Sequence, residues 1–453
     1  MNTTYNNFSI VICIFQLSPL LFIESELLLF RCKQMEGSIM KYDKTILSKT
    51  CVMDGEIGLN RPNDNVLAVG CSGVGKSLSL EYPTMLHLKN SSLLATFSKE
   101  VEGLKMASFK RKQGYKTVVC NLANPNESDV FFEPLSTVSS YNDITELSMQ
   151  IVKSVLKKTN DNYWNTAAIV LLESLIGMAM IVNEEPSIVD ALDLFDKLNS
   201  NDMLEKSEVI EIYSDLRNID PNCAPVRGFQ SYLSLYDSPK TLACVVDCLS
   251  AALRTVFPED IRKAIRGKEQ VDFLQLATEK TAVFIISSPT NKSLSPFVNL
   301  MYDAAIKQLL EYSQTFSDGK LPRKVKLFFD DFACSSRIDK FPEYISVFRA
   351  AGISAVMLLQ SESQLEELYG SGNATTIINN CSTYVYFPGG MDYATSKSVS
   401  NRMNLPLDDV LYANVGNLFI MQSGKKPVID DRYEILKDVK FKQMNKMEVH
   451  KER

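Results

Sequence analysis

Residues 65–69, Asn-Val-Leu-Ala-Val, run straight into Gly70-Cys71-Ser72-Gly73-Val74-Gly75-Lys76-Ser77, and a helical stretch follows. A G-x-x-x-x-G-K-S segment between a strand and a helix constrains the fold more than any other part of this chain. It calls for a strand whose C-terminal end opens onto a loop wide enough for phosphate, and so for an α/β domain. Glycines let the backbone N–H groups turn inward, and the helix N-terminus adds partial positive charge. Lys76 would neutralise the β- and γ-phosphates of ATP, and the Ser77 hydroxyl would ligate Mg2+. We therefore expect Gly70, Cys71, Ser72, Gly73, Val74, Gly75, Lys76 and Ser77 to bind nucleotide. A chance glycine loop is the bland alternative, and the strand before it argues against chance.

From residue 65 short apolar runs alternate with helical stretches, the pattern of a largely parallel sheet. The runs are 65–70, 91–97, 116–122, 281–287, 325–331, 353–360, 383–387 and 417–422, about eight strands. Between residues 141 and 275 the strand signal disappears. YWNTAAIVLLESLIGMAMIV has helical length there, and IVDALDLFDKL and TLACVVDCLSAALRTVF carry apolar spacing near 3.6. We expect a RecA-like nucleotide-binding domain from 41–140 and 276–436, interrupted by an all-α domain at 141–275. An N-terminal segment at 1–40 and a polar, frayed tail at 437–453 would complete the chain.

Composition sets limits. The net charge of -6 excludes a global basic field that draws the chain to nucleic acid, so such a role needs a local basic surface or a pore built from several copies. Two histidines, His87 and His450, nearly exclude histidine-based metal or triad chemistry. Ten cysteines sit mostly singly, without zinc spacing, and read as reduced thiols of a cytoplasmic protein. Residues 8–23, FSIVICIFQLSPLLFI, are apolar, but reach membrane-spanning length only by taking in Glu24 and Glu26. Two readings stay open: a marginal anchor with a cytoplasmic remainder, or an over-extended start with Met35 or Met40 as the first residue.

A phosphate loop hydrolyses nothing without an acid at the end of a neighbouring strand. Lys326-Leu-Phe-Phe-Asp330-Asp331 offers one. Asp330 would hold the magnesium ion through water, and Asp331 would polarise the attacking water. An N-cap or turn pair is the structural alternative. The next run, ISAVMLLQ, ends in Gln360, where an amide could sense the γ-phosphate and orient water, or merely mark a polar boundary. The order of phosphate loop, acid-ended strand and Gln-ended strand fits RecA-like motor ATPases. The long span counts against small kinases, and the lack of an LSGGQ-like stretch against ABC ATPases.

With these motifs in place, the chain resembles the type IV secretion coupling proteins, the TraG/TraD-like conjugative DNA-transfer ATPases, over roughly residues 60–435. GYKTVVCNLANPNESDVFFEPL, YWNTAAIVLLESLI, the block from DDFACSS to LLQSESQLEELYG, and GKKPVIDDRYEI are similar to ordered elements of that family, the last to its C-terminal hairpin. The resemblance implies a membrane-bound hexamer on the cytoplasmic face of a bacterial cell. It would recruit a relaxase, a relaxase–DNA complex or a protein cargo to the channel components of a type IV secretion system and pass single-stranded DNA through its ring. ATP would sit between subunits, with Arg349 a candidate contact across that interface and a helix-surface arginine as its alternative. The helical domain would select cargo.

There are departures. The family's Asp-Glu pair is Asp330-Asp331 here, with the catalytic carboxylate one methylene shorter. Phe97-Ser98-Lys99-Glu100 lacks an acid expected after the second strand, and Ala351 stands where a second arginine is usual. At most one marginal membrane helix replaces the usual two. A soluble DNA-translocating ATPase of the FtsK/HerA type, a non-hydrolysing nucleotide-dependent adaptor, and more remotely a kinase remain as alternatives.

Overall fold

The computed structural model describes residues 43–54, 62–128, 130–155, 163–198, 207–288, 292–332, 336–390 and 392–447. The apolar run near the N-terminus, Met35, Met40 and the last six residues of the tail lie outside them. Two compact units divide the chain: one takes in 134–152 and 158–250, the other 42–133, 153–157 and 251–453.

The second unit is built on a sheet. Its strands are β1 (Lys44–Ile46), β2 (Val52–Asp54), β3 (Val66–Val69), β4 (Ser92–Phe97), β5 (Lys116–Asn121), β6 (Val130–Phe131), β7 (Glu269–Gln270), β8 (Thr281–Ile286), β9 (Val325–Phe329), β10 (Ile353–Leu359), β11 (Thr383–Tyr386), β12 (Asn417–Gln422) and β13 (Val428–Asp431). Nine of them form one sheet in the order β13-β12-β11-β3-β10-β9-β4-β8-β5. The seven strands from β11 to β5 are parallel, and β12 and β13 add an antiparallel hairpin at one edge. Strands β3, β8, β9, β10 and β11 are buried along their whole length, which is why they read as nearly continuous apolar runs.

Register matters more than strand count. Val66–Val69 lies beside Val356–Leu359 on one side and Thr383–Tyr386 on the other, so three strand ends come level. β9 pairs Phe328 with Val356 and with Ala95 of β4, which brings residues 98 and 330 out at the same rim. The Gln-ended strand thus lies between the phosphate-loop strand and the acid-ended strand. The order also reverses direction around β3, and ligands of open α/β sheets bind at such switch points.

β6 pairs in parallel with β7, laying the chain that leaves for the helical block beside the chain that returns. Residues from Ala251 onward pack with the sheet unit: the Phe257 ring meets Phe297 at 5.9 Å, and Val271 N–H donates to Phe131 O at 2.8 Å. The expected fraying from residue 437 is corrected at its start. Asp438 caps a helix over Val439–Asn445, and Phe441 and Met444 are buried in the sheet unit's core. An i, i+3 apolar pair inside a lysine-rich stretch is a weak signal, and the charge obscured it.

The other unit is helical. Tyr163–Val182 is long and apolar enough to cross a membrane, yet Leu171, Leu172, Leu175, Ile176 and Met178 are fully buried in the unit, the pattern of a core helix. It packs on Ala224–Leu233 so closely that a Cβ on Gly177 would stand 2.5 Å from Pro225 Cγ, and one on Gly228 would collide with Ser174 Oγ. Tyr213, Phe229 and Tyr232 extend that contact as an aromatic row with centroids 5.2 and 5.4 Å apart.

Candidate nucleotide site at the strand ends

Gly70 leaves β3 with its N–H on Leu359 O at 3.1 Å, and a Cβ there would stand 2.6 Å from Phe387 Cβ, so no larger residue fits. Gly73 and Gly75 take left-handed φ values of 80° and 81°, which turn the loop back on itself. Lys76 is 7% exposed, and its Nζ donates to Gly70 O at 2.6 Å and Cys71 O at 3.1 Å. Burial lowers its pKa, while Asp331 and then Asp330 oppose the shift. The loop's own carbonyls thus hold the ammonium against the loop.

Past Lys76 the helix opens with a π turn, Ser77–Glu81, in which Tyr82 N–H reaches back to Ser77 O. Such turns occur frequently at functional sites. Ser77 Oγ donates to Asp330 Oδ1 at 3.1 Å, and Ser98 Oγ to Asp330 Oδ2 at 3.4 Å. Burial, with Asp331 beside it, pushes the Asp330 carboxyl up to about 6, against the opposing bond from Ser77. Glu81 is 1% exposed with both carboxyl oxygens unpartnered among the described residues, and burial followed by the two aspartates holds it well above the ordinary carboxylate range.

Asp331 is exposed and adopts φ 56°, a left-handed conformation that aspartate tolerates better than longer side chains. Phe332 N–H then bonds Leu358 O at 2.9 Å and turns the chain back toward β10. Gln360 Nε2 donates to Asp331 Oδ1 at 3.3 Å. The structure therefore brings together the loop from Gly70 to Ser77 with Asp330, Asp331 and Gln360. Arg349 is placed elsewhere. It sits on the exposed side of the helix Phe341–Ala351 and lines a small depression with Pro62, Asn63, Asp64 and Lys324, at the opposite ends of the strands.

Sequence reasoning missed three residues here. Ser98 occupies the stretch that lacks the expected acid, and Glu100 bonds Asn121 Nδ2 at 2.8 Å instead of the site. Glu81 reads as an ordinary helix residue until burial is known. Arg432 has no spacing relation to the loop it touches: its Nη1 donates to Val74 O.

Similarities in fold agree with this layout. The bacterial conjugative coupling protein TrwBdeltaN70 in its unbound monoclinic form has a TM-score of 0.63 at 16% identity, covering 89% of this chain and 91% of that one. TrwB with the ATP analogue ADPNP scores 0.61 at 16% identity, over 82% and 85% of the two chains. TrwB with ADP and Mg2+ scores 0.60 at 14% identity, over 86% and 95%. No curated protein matches the sequence. The fold is that of a RecA-like P-loop protein; a family model described as type IV secretory system conjugative DNA transfer matches residues 27–403, and the chain belongs to that family.

Proposed function

We propose that this chain is a magnesium-dependent ATPase that couples relaxase-bound DNA, or a protein cargo, to a type IV secretion channel and drives or gates its transfer. The observation that carries the reading is the Ser77–Asp330 bond at 3.1 Å, which ties the phosphate loop to the acid-ended strand. TrwB structures of the same fold hold ADPNP, or ADP with Mg2+, and family membership supports a role in conjugative transfer.

The residues present suit magnesium. Ser77 and Asp330 offer hard oxygen donors, and no cluster of three His, Cys, Asp or Glu exists among the described residues that would form an all-protein cage. Magnesium is ordinarily held by one or two carboxylates together with phosphate and water. When bound, the ion would neutralise charge on the phosphate oxygens. Lys76 would leave its two carbonyl partners for the β- and γ-phosphates. Asp331 would take a proton from the attacking water, with the Gln360 amide beside it holding that water in line.

Assembly as a hexameric ring at the cytoplasmic face of the membrane, with single-stranded DNA in the pore and Arg349 reaching a neighbour's nucleotide, extends the reading. So does cargo selection by the helical unit. A second reading, a non-hydrolysing adaptor, is favoured by one observation: Asp331 is short and sits in a left-handed conformation that longer acids adopt less readily. Turnover assays separate the two. Asp331→Asn should keep ATP affinity and lose at least ~100-fold in turnover, within the range that general-base catalysis contributes. If wild type binds ATP but hydrolyses none with magnesium and single-stranded DNA present, the adaptor reading replaces the ATPase.

A further inference from the structure

Arg432 follows β13 at the edge of the sheet and reaches across to the phosphate loop. Its Nη1 donates to Val74 O, and its guanidinium carbon lies 5.5 Å from the centre of the Phe387 ring. A Cβ on Gly75 would stand 3.4 Å from the same Nη1. Nε and Nη2 are buried and have no hydrogen-bond partner among the described residues. Covering Phe387 alone would need no charge, and an apolar side chain would do it without stranding two donors. The bond to Val74 is what an arginine adds.

That bond has a directional consequence. A peptide unit is planar and trans, so the Val74 carbonyl and the Gly75 N–H point to opposite sides. With the carbonyl drawn to Arg432, the Gly75 N–H is turned to the face of the peptide away from Arg432. Phosphate loops bind through backbone N–H groups turned inward. Gly75 has no side chain to restrict its rotation, so a bond to Arg432 restrains a peptide that glycine leaves freer than any other residue would.

The anchor is itself held. Arg432 N–H bonds Gly416 O at 3.0 Å, next to the start of β12. Just before it, Asp430 Oδ2 accepts from Thr50 N–H at 2.9 Å, from Thr50 Oγ1 at 2.8 Å and from the Ser48 hydroxyl. Lys49 Nζ reaches Asp431 at 3.1 Å, and Lys49 N–H bonds Asp431 O at 3.0 Å. The turn after β1 therefore fixes the end of β13, and the end of β13 fixes the loop.

We infer that Arg432 is a positioning residue for nucleotide: it orients the Val74–Gly75 peptide so that the Gly75 N–H meets a phosphate oxygen. The inference rests on the nucleotide-binding reading above. Arg432→Lys and Arg432→Met, made in the full chain with glycine amides 15N-labelled, test the anchor. Both lose the guanidinium, but only lysine keeps a donor that ends one bond short of Nη1. Titration with ATP and magnesium should show Met weakening affinity about tenfold or more, the scale of a lost charge-assisted bond, and Lys falling between Met and wild type. The shift of the Gly75 amide signal at saturating ATP should be present in wild type and lost in Met, and turnover at saturating ATP should change less than affinity. A weakened Met variant that keeps the wild-type Gly75 shift at saturation would overturn the peptide anchor in favour of a charge effect, and wild-type affinity in Met would remove Arg432 from the site. Lys76→Ala serves as control: if wild type itself binds no ATP, the nucleotide reading fails first and separately.

Discussion

The two compact units treat buried charge in opposite ways. Among the described residues, the charged side chains that are buried all lie in the sheet unit: Asp43, Lys76, Glu81, Lys110, Glu133, Lys326 and Asp438, each at most 9% exposed. The helical unit buries Ser148, Gln150 and Ser174 as its polar residues and otherwise packs apolar side chains. Burying charge costs stability unless partners repay it, so a fold concentrates it where chemistry or a fixed junction needs it. The helical unit thus has an almost wholly apolar core, and the sheet unit gathers the buried charge.

The sharpest way to break this contrast is at the phosphate loop. Lys76→Ala removes the main countercharge to the β- and γ-phosphates and should weaken ATP binding or turnover at least ~10-fold. Measured by titration and steady-state kinetics, wild-type behaviour would show that the crowded charges at the strand ends serve the fold alone.

A smaller effect is expected from the other unit. Gly177→Leu forces a side chain against Pro225, where even a Cβ has only 2.5 Å, and should destabilise the helical unit by about 1–3 kcal/mol. Calorimetry should show that loss while ATP affinity stays at the wild-type value. A parallel drop in affinity would mean the units do not divide packing and chemistry between them.

The smallest effect is a slope. Lys110 is fully buried, donating to Leu88 O and Gln113 Oε1 at 2.9 Å each, and burial pulls its pKa down to about 7. The unfolded chain, with a lysine pKa near ~10.4, then binds more protons than the folded one between those values. Stability from this residue therefore rises as pH increases from about 7 toward 10. Lys110→Met should flatten that part of the pH–melting curve, and the melting difference between mutant and wild type should fall as pH rises. An unchanged slope would show that Lys110 is solvated in solution.

What could be read from the chain follows the same contrast. The eight apolar runs are all strands of the sheet; six are buried along their whole length and have no polar alternation to confuse them, and β5 and β12 keep a run of three buried residues. β13 was legible only through its resemblance to a known hairpin: Val428 and Ile429 are exposed at 42% and 49%, and an edge strand carries little apolar pattern. Motif spacing located Lys76, Ser77, Asp330, Asp331 and Gln360, whose roles depend on strand ends. Ser98, Glu81 and Arg432 escaped because their place in the site is set by register and burial. A glutamate in a helical stretch looks solvated until the sheet beneath it is known.

The π turn from Ser77 to Glu81 has a consequence for how this segment can drift in evolution. Its hydrogen bond spans one residue more than an α turn, so the stretch from Leu78 to Leu80 carries an extra position. Removing one residue would let the helix wind regularly. It would also swing Tyr82 away from Phe97, whose ring centre lies 5.5 Å from its own, and away from Glu102, which accepts its hydroxyl. Substitutions at Leu78, exposed at 43%, leave the phase of the helix intact. Length is the conserved quantity to expect here, and a single-codon deletion the change least tolerated.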